Sequence, residues 1–256
     1  MARWARRMLM GVALGGALGL GACADRAERP QLDVSVLEQS AASAEREHDY
    51  AAAAGQYRNL MARQPKRLDY VLGLARNLRY LGLADDALKL LAQAEEPFEG
   101  DPEYLVEWGK VLIAAGRPGQ AVVKLEQAID GDDGDWQAYS ALGIARDLGG
   151  DFAAARQAYA KALTLSAGNP VVLNNLAMSR AQSGDLDQAI AILEGLHGDP
   201  RSRVQFRQNL ALLYAVRGDT EKAKALAKHD LDDKQLERNL SYFQRFERPP
   251  IPVGVQ

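Results

Sequence analysis

Histidine and cysteine are the residues of this chain whose chemistry could be catalytic or metal-binding. The histidines are His48, His197 and His229, and the cysteine is Cys23. No two of them have metal-ligand spacing, and none stands near a nucleophile elbow. His229 precedes Asp230, but adjacent side chains diverge on a helix. The sequence therefore predicts no catalytic site, no metal and no cofactor, and we expect that the protein is not an enzyme.

An acidic run from Asp130 to Asp135 has the composition of a calcium-binding loop. Its order does not fit, because an EF-hand loop would have glycine at Asp135 and a closing glutamate at Ala141. Asp and Gly are ordinary turn residues. The run is therefore predicted to be a solvated turn between two structural elements.

Those elements are indicated by an alanine that recurs every 34 residues. The column consists of Ala53, Ala87, Ala121, Ala155, Ala189 and Ala223. Five residues before each alanine stand His48, Gly82, Gly116, Gly150, Gly184 and Gly218. Glycine there suits a left-handed turn at the end of a helix. The spacing predicts helix pairs, each joined by such a turn.

Two further columns keep the same phase. Twelve residues before each alanine, small residues recur: Ala41, Ala75, Gly109, Gly143, Ala177 and Ala211. Four residues after each alanine stand Tyr57, Leu91, Leu125, Tyr159, Leu193 and Ala227. Residues at i and i+4 share one helix face, so a small residue on the first helix can receive a large one from the second.

This pattern resembles the tetratricopeptide repeat (TPR) family, and the resemblance is clearest from Tyr139 to Ala162. It implies an all-α TPR solenoid of about six helix-turn-helix repeats over residues 36–231, with a C-terminal capping helix and a Pro-rich tail in residues 232–256. Arg146 and Arg180 depart from the pattern, since they stand where the family usually has an aromatic residue. We expect them to form local ion pairs or to extend towards solvent.

The resemblance implies a partner groove along the first helix of each repeat. Transferring the family's groove positions selects Arg76, Arg79, Tyr80, Val106, Lys110, Ile113, Ser140, Ile144, Asp147, Asn174, Met178, Gln208 and Leu212. This set is basic and aromatic at one end and carries amide and apolar groups at the other. The expected ligands are protein segments, although each residue alone could equally be solvent-facing.

The first 22 residues have the composition of a secretory signal: three arginines, an apolar run from Met8 to Leu20, and small residues before Cys23. The sequence Leu20-Gly-Ala-Cys23 resembles a bacterial lipobox. That resemblance implies a lipidated Cys23, a membrane-bound protein and a tether over residues 23–35. An ordinary secretory signal remains the alternative. Ala24 favours the outer membrane facing the periplasm, whereas Asp25 leaves the inner membrane open.

Two segments, Arg203–Tyr214 and Asn239–Phe243, are similar to the TadD family, the lipoproteins of the tight-adherence (Flp) pilus assembly system. This resemblance implies a scaffold that helps to assemble or localise the pilus secretin or another pilus assembly component. Other TPR lipoproteins remain alternatives, serving outer-membrane protein assembly, another pilus or the regulation of peptidoglycan enzymes. An envelope enzyme is the alternative from a different class.

The charge balance argues against nucleic acid as a partner. The chain of 256 residues has 31 basic and 34 acidic residues, which gives a net charge of −3. Removal of the three arginines in residues 1–22 would leave −6. Binding to phosphates requires clustered basic residues, and here the two signs are intermixed.

Overall fold

The computed structural model describes residues 33–197 and 204–228, and every regular element in these ranges is helical. Within them, twelve α-helices form six consecutive pairs. The helices are α1 (Val34–Arg46), α2 (Tyr50–Arg63), α3 (Leu68–Tyr80), α4 (Ala84–Ala94), α5 (Pro102–Ala114), α6 (Pro118–Gly131), α7 (Trp136–Leu148), α8 (Phe152–Leu165), α9 (Pro170–Gln182), α10 (Leu186–His197), α11 (Val204–Arg217) and α12 (Thr220–Ala227). A 3-10 turn, Glu96–Phe98, follows α4. The predicted all-α solenoid is confirmed.

The helices stack in two layers. Each helix packs against the next along the chain, and the first helices α3, α5, α7, α9 and α11 also contact one another in sequence. The first helices therefore form the inner layer of the solenoid, and α4, α6, α8 and α10 lie outside them. A side chain on the inner layer can take part in a surface that continues from one repeat to the next.

The repeating columns explain how closely the helices pack. Five of the six column alanines have no exposed surface, and Ala223 has 1%. A Cβ atom on Gly143 would lie 2.5 Å from Cε1 of Tyr159, and one on Gly109 would lie 2.5 Å from Cγ of Leu125. The small residue of each first helix therefore makes room for the large residue of the second, as the spacing predicted.

The turn inside each repeat has the predicted left-handed residue. The φ angle is positive at all five glycines of the column, from 69° at Gly116 to 92° at Gly184. The sixth position, His48, also has a positive φ of 59°. The next backbone N–H closes the turn: that of Asp151, for example, donates to the carbonyl of Arg146 at 2.9 Å. This bond belongs to the glycine-ended helix terminus known as the Schellman motif.

Aspartate after the turn begins the second helix. Asp49 accepts a hydrogen bond from the backbone N–H of Ala52, and Asp151 accepts one from that of Ala154. These side chains occupy donors that the first helical turn leaves without an intrahelical partner. Gly150-Asp151 therefore ends one helix and starts the next, and His48-Asp49 does the same in the first repeat.

The two arginines that depart from the family pattern form ion pairs. Arg146 Nη2 lies 2.8 Å from Glu126 Oε1, and Arg180 Nη1 lies 2.8 Å from Asp185 Oδ2. The first pair joins α7 to α6, the outer helix of the preceding repeat. The second stays within one repeat. Both outcomes agree with the expectation of local ion pairs.

Several sequence predictions lie outside the described residues: the signal sequence, Cys23, most of the tether, His229 and the capping helix and tail of residues 232–256. Helix α1 begins at Val34, two residues before the predicted start of the repeats. Within the described ranges, no helix is both long and apolar enough to cross a membrane.

Candidate protein-binding groove

The inner layer carries a first cavity of about 500 Å³ at the second and third repeats. Arg76 and Arg79 line it from α3, and Lys110 lines it from α5. Tyr80, at the end of α3, also lines it and is 51% exposed. The four residues predicted for the basic and aromatic end of the groove therefore surround one cavity.

Arg79 is held by an ion pair between two repeats. Its Nε donates to Glu107 Oε1 at 2.9 Å, and Glu107 is buried on α5. Burial alone would lower the pKa of Arg79, but the Glu107 carboxylate offsets this and holds the pKa above its usual value. The guanidinium also lies over the Tyr80 ring, 4.7 Å from its centroid. Arg79 is therefore fixed, and its charge is balanced by Glu107.

Lys110 lies beside this pair. Its Nζ donates to the neutral Gln137 Oε1 at 2.9 Å, across the boundary between α5 and α7. Burial lowers the pKa of Lys110; Glu107 and Asp135 oppose that effect, and Arg79 and Arg76 add to it. Among the described residues, no carboxylate lies within ion-pair distance of Lys110.

A second cavity of about 290 Å³ continues the groove along α5, α7 and α9. It shares Arg79, Tyr80, Lys110 and Gln137 with the first cavity. Its other lining residues are Ile113, Trp136, Ser140, Ala141, Ile144, Val171 and Asn175. This part of the surface is apolar with a few amide and hydroxyl groups, as expected of a site for extended protein segments.

Asparagine residues link the inner helices beyond this point. Asn209 Nδ2 donates to Asn174 Oδ1 at 2.8 Å, and Asn175 Nδ2 donates to Ser140 Oγ at 3.3 Å. Asn174 is only 4% exposed; its amide oxygen accepts from the sixth repeat, and its Nδ2 donates to Asn175 on the same helix. Asn175 and Asn209, which the sequence reasoning did not select, are half-buried. Each is the sixth residue of its helix and the two stand 34 residues apart, so the repeat spacing could have identified them.

Of the other groove candidates, Val106 lines the first cavity, whereas Met178, Gln208 and Leu212 line neither cavity. Met178 is half-buried on α9 and packs against the core between the fifth and sixth repeats. Gln208 is exposed on α11. Both belong to the inner layer, but they line neither cavity. Their role in binding stays a prediction.

Asp147, also selected for the groove, is engaged within the protein. It accepts hydrogen bonds from Tyr159 Oη at 2.8 Å and from Ser179 Oγ at 2.7 Å. The carboxylate thus joins α7, α8 and α9 and lines neither cavity. Sequence reasoning missed this because it scored each column alone and not the polar residues shared between columns.

The other chemical candidates are turn residues. His48 is exposed in the first turn. In the acidic run, Asp132 accepts from the backbone N–H of Gly134, and Asp135 accepts from that of Gln137 at the start of α7. In the part of the chain that the structure describes, no three His, Cys, Asp or Glu residues are grouped to hold a metal ion.

Family models support the repeat assignment. Three tetratricopeptide repeat models match, over residues 106–170, 149–205 and 204–228. No match was found among curated protein sequences.

Solved structures share the fold at low sequence identity. A tetratricopeptide repeat protein of Parabacteroides merdae is 13% identical with a TM-score of 0.71, and the match spans 85% of this chain and 86% of that one. PilW, a widely conserved type IV pilus biogenesis factor, is 19% identical with a TM-score of 0.64, over 84% of this chain and 96% of PilW. Pseudomonas aeruginosa PilF is 16% identical with a TM-score of 0.60, over the same shares.

The helix pairs, the columns and these matches show that the fold is a tetratricopeptide repeat solenoid, with repeat models matching within residues 106–228. Such solenoids present continuous concave surfaces that bind other molecules. The inner surface formed by α3, α5, α7 and α9 is therefore the candidate protein-binding surface.

Proposed function

We propose that this protein is a lipid-anchored scaffold of the bacterial outer membrane that faces the periplasm and serves tight-adherence (Flp) pilus assembly. It holds a segment of the pilus secretin, or of another pilus assembly component, in the groove along α3, α5, α7 and α9. The anchor keeps the groove at the membrane, which raises the local concentration of the captured partner.

One observation carries the groove part of the proposal. The two cavities share Arg79, Tyr80, Lys110 and Gln137, so they form one continuous surface over at least four repeats. A continuous surface suits an extended segment better than a compact small molecule. In contrast, the described residues offer no cluster of metal-binding groups.

Two sequence features support the pilus part. The segments Arg203–Tyr214 and Asn239–Phe243 resemble the TadD family, and Cys23 comes directly after a signal-like stretch. The fold is also that of PilW, a type IV pilus biogenesis factor. That likeness makes another type IV pilus the second candidate. A further candidate is a different envelope machine, for outer-membrane protein assembly or the regulation of peptidoglycan enzymes.

The lipid anchor is tested at Cys23. Cys23→Ala should abolish labelling with radioactive palmitate and release the protein from membranes, or leave the precursor uncleaved. A matched variant, Ala24→Asp, should keep the label and move the protein towards the inner membrane. Normal labelling, processing and membrane association of Cys23→Ala would contradict lipidation.

The assignment to a pilus is tested by affinity purification from detergent-solubilised envelopes of the native cells. The wild-type protein should recover the secretin or another component of the tight-adherence system. A variant with Arg76→Glu and Lys110→Glu should recover much less of it while keeping the helical content of the wild type. Recovery of peptidoglycan hydrolases alone, with no pilus component, would exclude the pilus role.

A further inference from the structure

The chemistry of the groove indicates what kind of segment it holds. We propose that the captured segment is extended and contains an acidic side chain that binds Lys110, next to aliphatic side chains that pack in the second cavity. This inference rests on the proposed capture of a protein segment and goes beyond it by naming the segment's chemistry.

At the junction of the two cavities, Lys110 forms no direct ion pair with a carboxylate among the described residues. Arg79 is paired with Glu107, whereas the hydrogen-bond partner of Lys110 is the neutral Gln137 side chain. Arg76 lines the first cavity and makes no hydrogen bond or ion pair with the described residues. A partly buried ammonium gains most from a carboxylate, because charge-assisted hydrogen bonds are the stronger ones.

The carboxylates near Lys110 do not fill that role. Glu103, Glu107, Asp132 and Asp135 line the first cavity, and none of them lines the second. Glu107 is engaged by its ion pair with Arg79. Asp132 and Asp135 already accept backbone hydrogen bonds in the turn before α7. Glu103 is exposed in the first turn of α5. An incoming acidic group can therefore reach Lys110 from the second cavity, whose lining residues include no carboxylate.

The second cavity favours aliphatic side chains beside the acidic one. Ile113, Ile144 and Val171, one from each of α5, α7 and α9, line it and are half-buried. Burial of an aliphatic partner side chain there would remove apolar surface on both molecules from water, at about 25 cal/mol per Å². Gln137 Nε2 makes no hydrogen bond with the described residues and can donate to a peptide carbonyl. The second cavity thus places the Lys110 ammonium next to an apolar surface.

The test is a selection of random twelve-residue peptides displayed on phage, using full-length protein with Cys23→Ala in detergent-free buffer. The wild-type groove should enrich peptides in which Asp or Glu lies close to Leu, Ile or Val. Selection on Lys110→Glu should enrich Lys or Arg in place of the acidic residue. Lys110→Gln should lose the acidic preference without inverting it. Lys89→Glu, an identical change at an exposed site on α4, is the control and should leave the preference unchanged.

Synthetic peptides then give the size of the effect. The best enriched peptide should bind Lys110→Glu about tenfold more weakly than the wild type, and replacing its acidic residue by Lys should restore most of that loss. Enriched peptides without an acidic preference, or with one that Lys110→Glu and Lys110→Gln leave unchanged, would overturn the inference while leaving segment capture intact. If the wild-type protein enriches no peptide, segment capture in the groove fails together with the inference.

Discussion

Tyr159 donates a hydrogen bond from its hydroxyl to Asp147 at 2.8 Å, and this contact joins the two helices of the fourth repeat. Asp147 also accepts from Ser179 in the fifth repeat. The same arrangement occurs 102 residues earlier, where Glu45 accepts from Tyr57 and from Asn77. A carboxylate at this position therefore connects each of two repeats to the next one along the chain, and it stiffens the inner layer next to the groove.

Tyr159→Phe removes one partner of Asp147 and keeps the ring that packs against Gly143. We expect the free energy of unfolding to fall by about 1–2 kcal/mol, because a half-buried carboxylate loses a hydrogen bond. Urea denaturation measures this. Tyr139→Phe is the matched control, since no hydrogen bond of its hydroxyl is present among the described residues, and it should change stability by less than about 0.5 kcal/mol. Equal effects of the two changes would contradict the role of the contact.

The pH dependence of the free energy of unfolding should reveal the raised pKa of Asp147. Burial raises its pKa above the usual 3.8, against the opposing effects of Ser179, Tyr159 and Arg156. The folded protein therefore binds this proton at a pH where the unfolded chain does not, so the contribution of Asp147 to stability rises as pH falls through the raised pKa.

Asp147→Asn cannot titrate and supplies the comparison. The difference in unfolding free energy between wild type and Asp147→Asn, measured at pH 7 and near pH 4.5, should shift in favour of the wild type at the lower pH. Other carboxylates titrate in both proteins and cancel. A shift in the opposite direction would show that Asp147 has a lowered pKa.

Gly143→Ala should destabilise the protein by about 1–3 kcal/mol, because the new Cβ would lie 2.5 Å from a Tyr159 ring that is almost fully buried and held by Asp147. The control is Gly55→Ala in α2, where no atom lies within 4 Å of a new Cβ. That change should stabilise by about 0.5–1 kcal/mol, since alanine loses less conformational entropy in a helix. Thermal and urea unfolding of the two variants should therefore shift in opposite directions.

His48→Gly should stabilise the first repeat by about 0.5–1 kcal/mol, because His48 has the left-handed φ that glycine adopts freely. Replacing glycine by a residue with a side chain at an equivalent turn, Gly150→Ala, should lower the free energy of unfolding by about 1 kcal/mol. Urea unfolding of both variants measures the effects. Destabilisation by His48→Gly would mean that the imidazole contributes more than the backbone conformation costs.

Most of the fold could be predicted from the repeat columns. Alanine at Ala155, glycine at Gly150 and a small residue at Gly143 each reflect a local requirement: a close contact, a positive φ and space for a ring. Such requirements allow few residue types, so they recur visibly at 34-residue spacing. For this reason the helix pairs, the turns and the inner layer could all be predicted from the sequence.

The pairing of polar side chains could not be predicted in the same way. Arg79, Lys110 and Asp147 occupy positions that many residue types can fill, and their states depend on a second residue in another repeat. Glu107 neutralises Arg79, whereas Lys110 has only a neutral amide beside it. The sequence placed these residues on the groove, but which of them can still receive a partner depended on three-dimensional contacts.

Site-specific photo-crosslinking in the native cells tests the central claim, that partners bind along the inner helices, most directly. A photoreactive phenylalanine derivative replaces Tyr80 in the groove or, as control, Val123 on the outer helix α6; the two side chains have similar exposure, 51% and 54%. The account predicts a discrete crosslinked partner from position 80, lost when Lys110→Glu is added, and none from position 123. A partner crosslinked from position 123 and not from position 80 would contradict it.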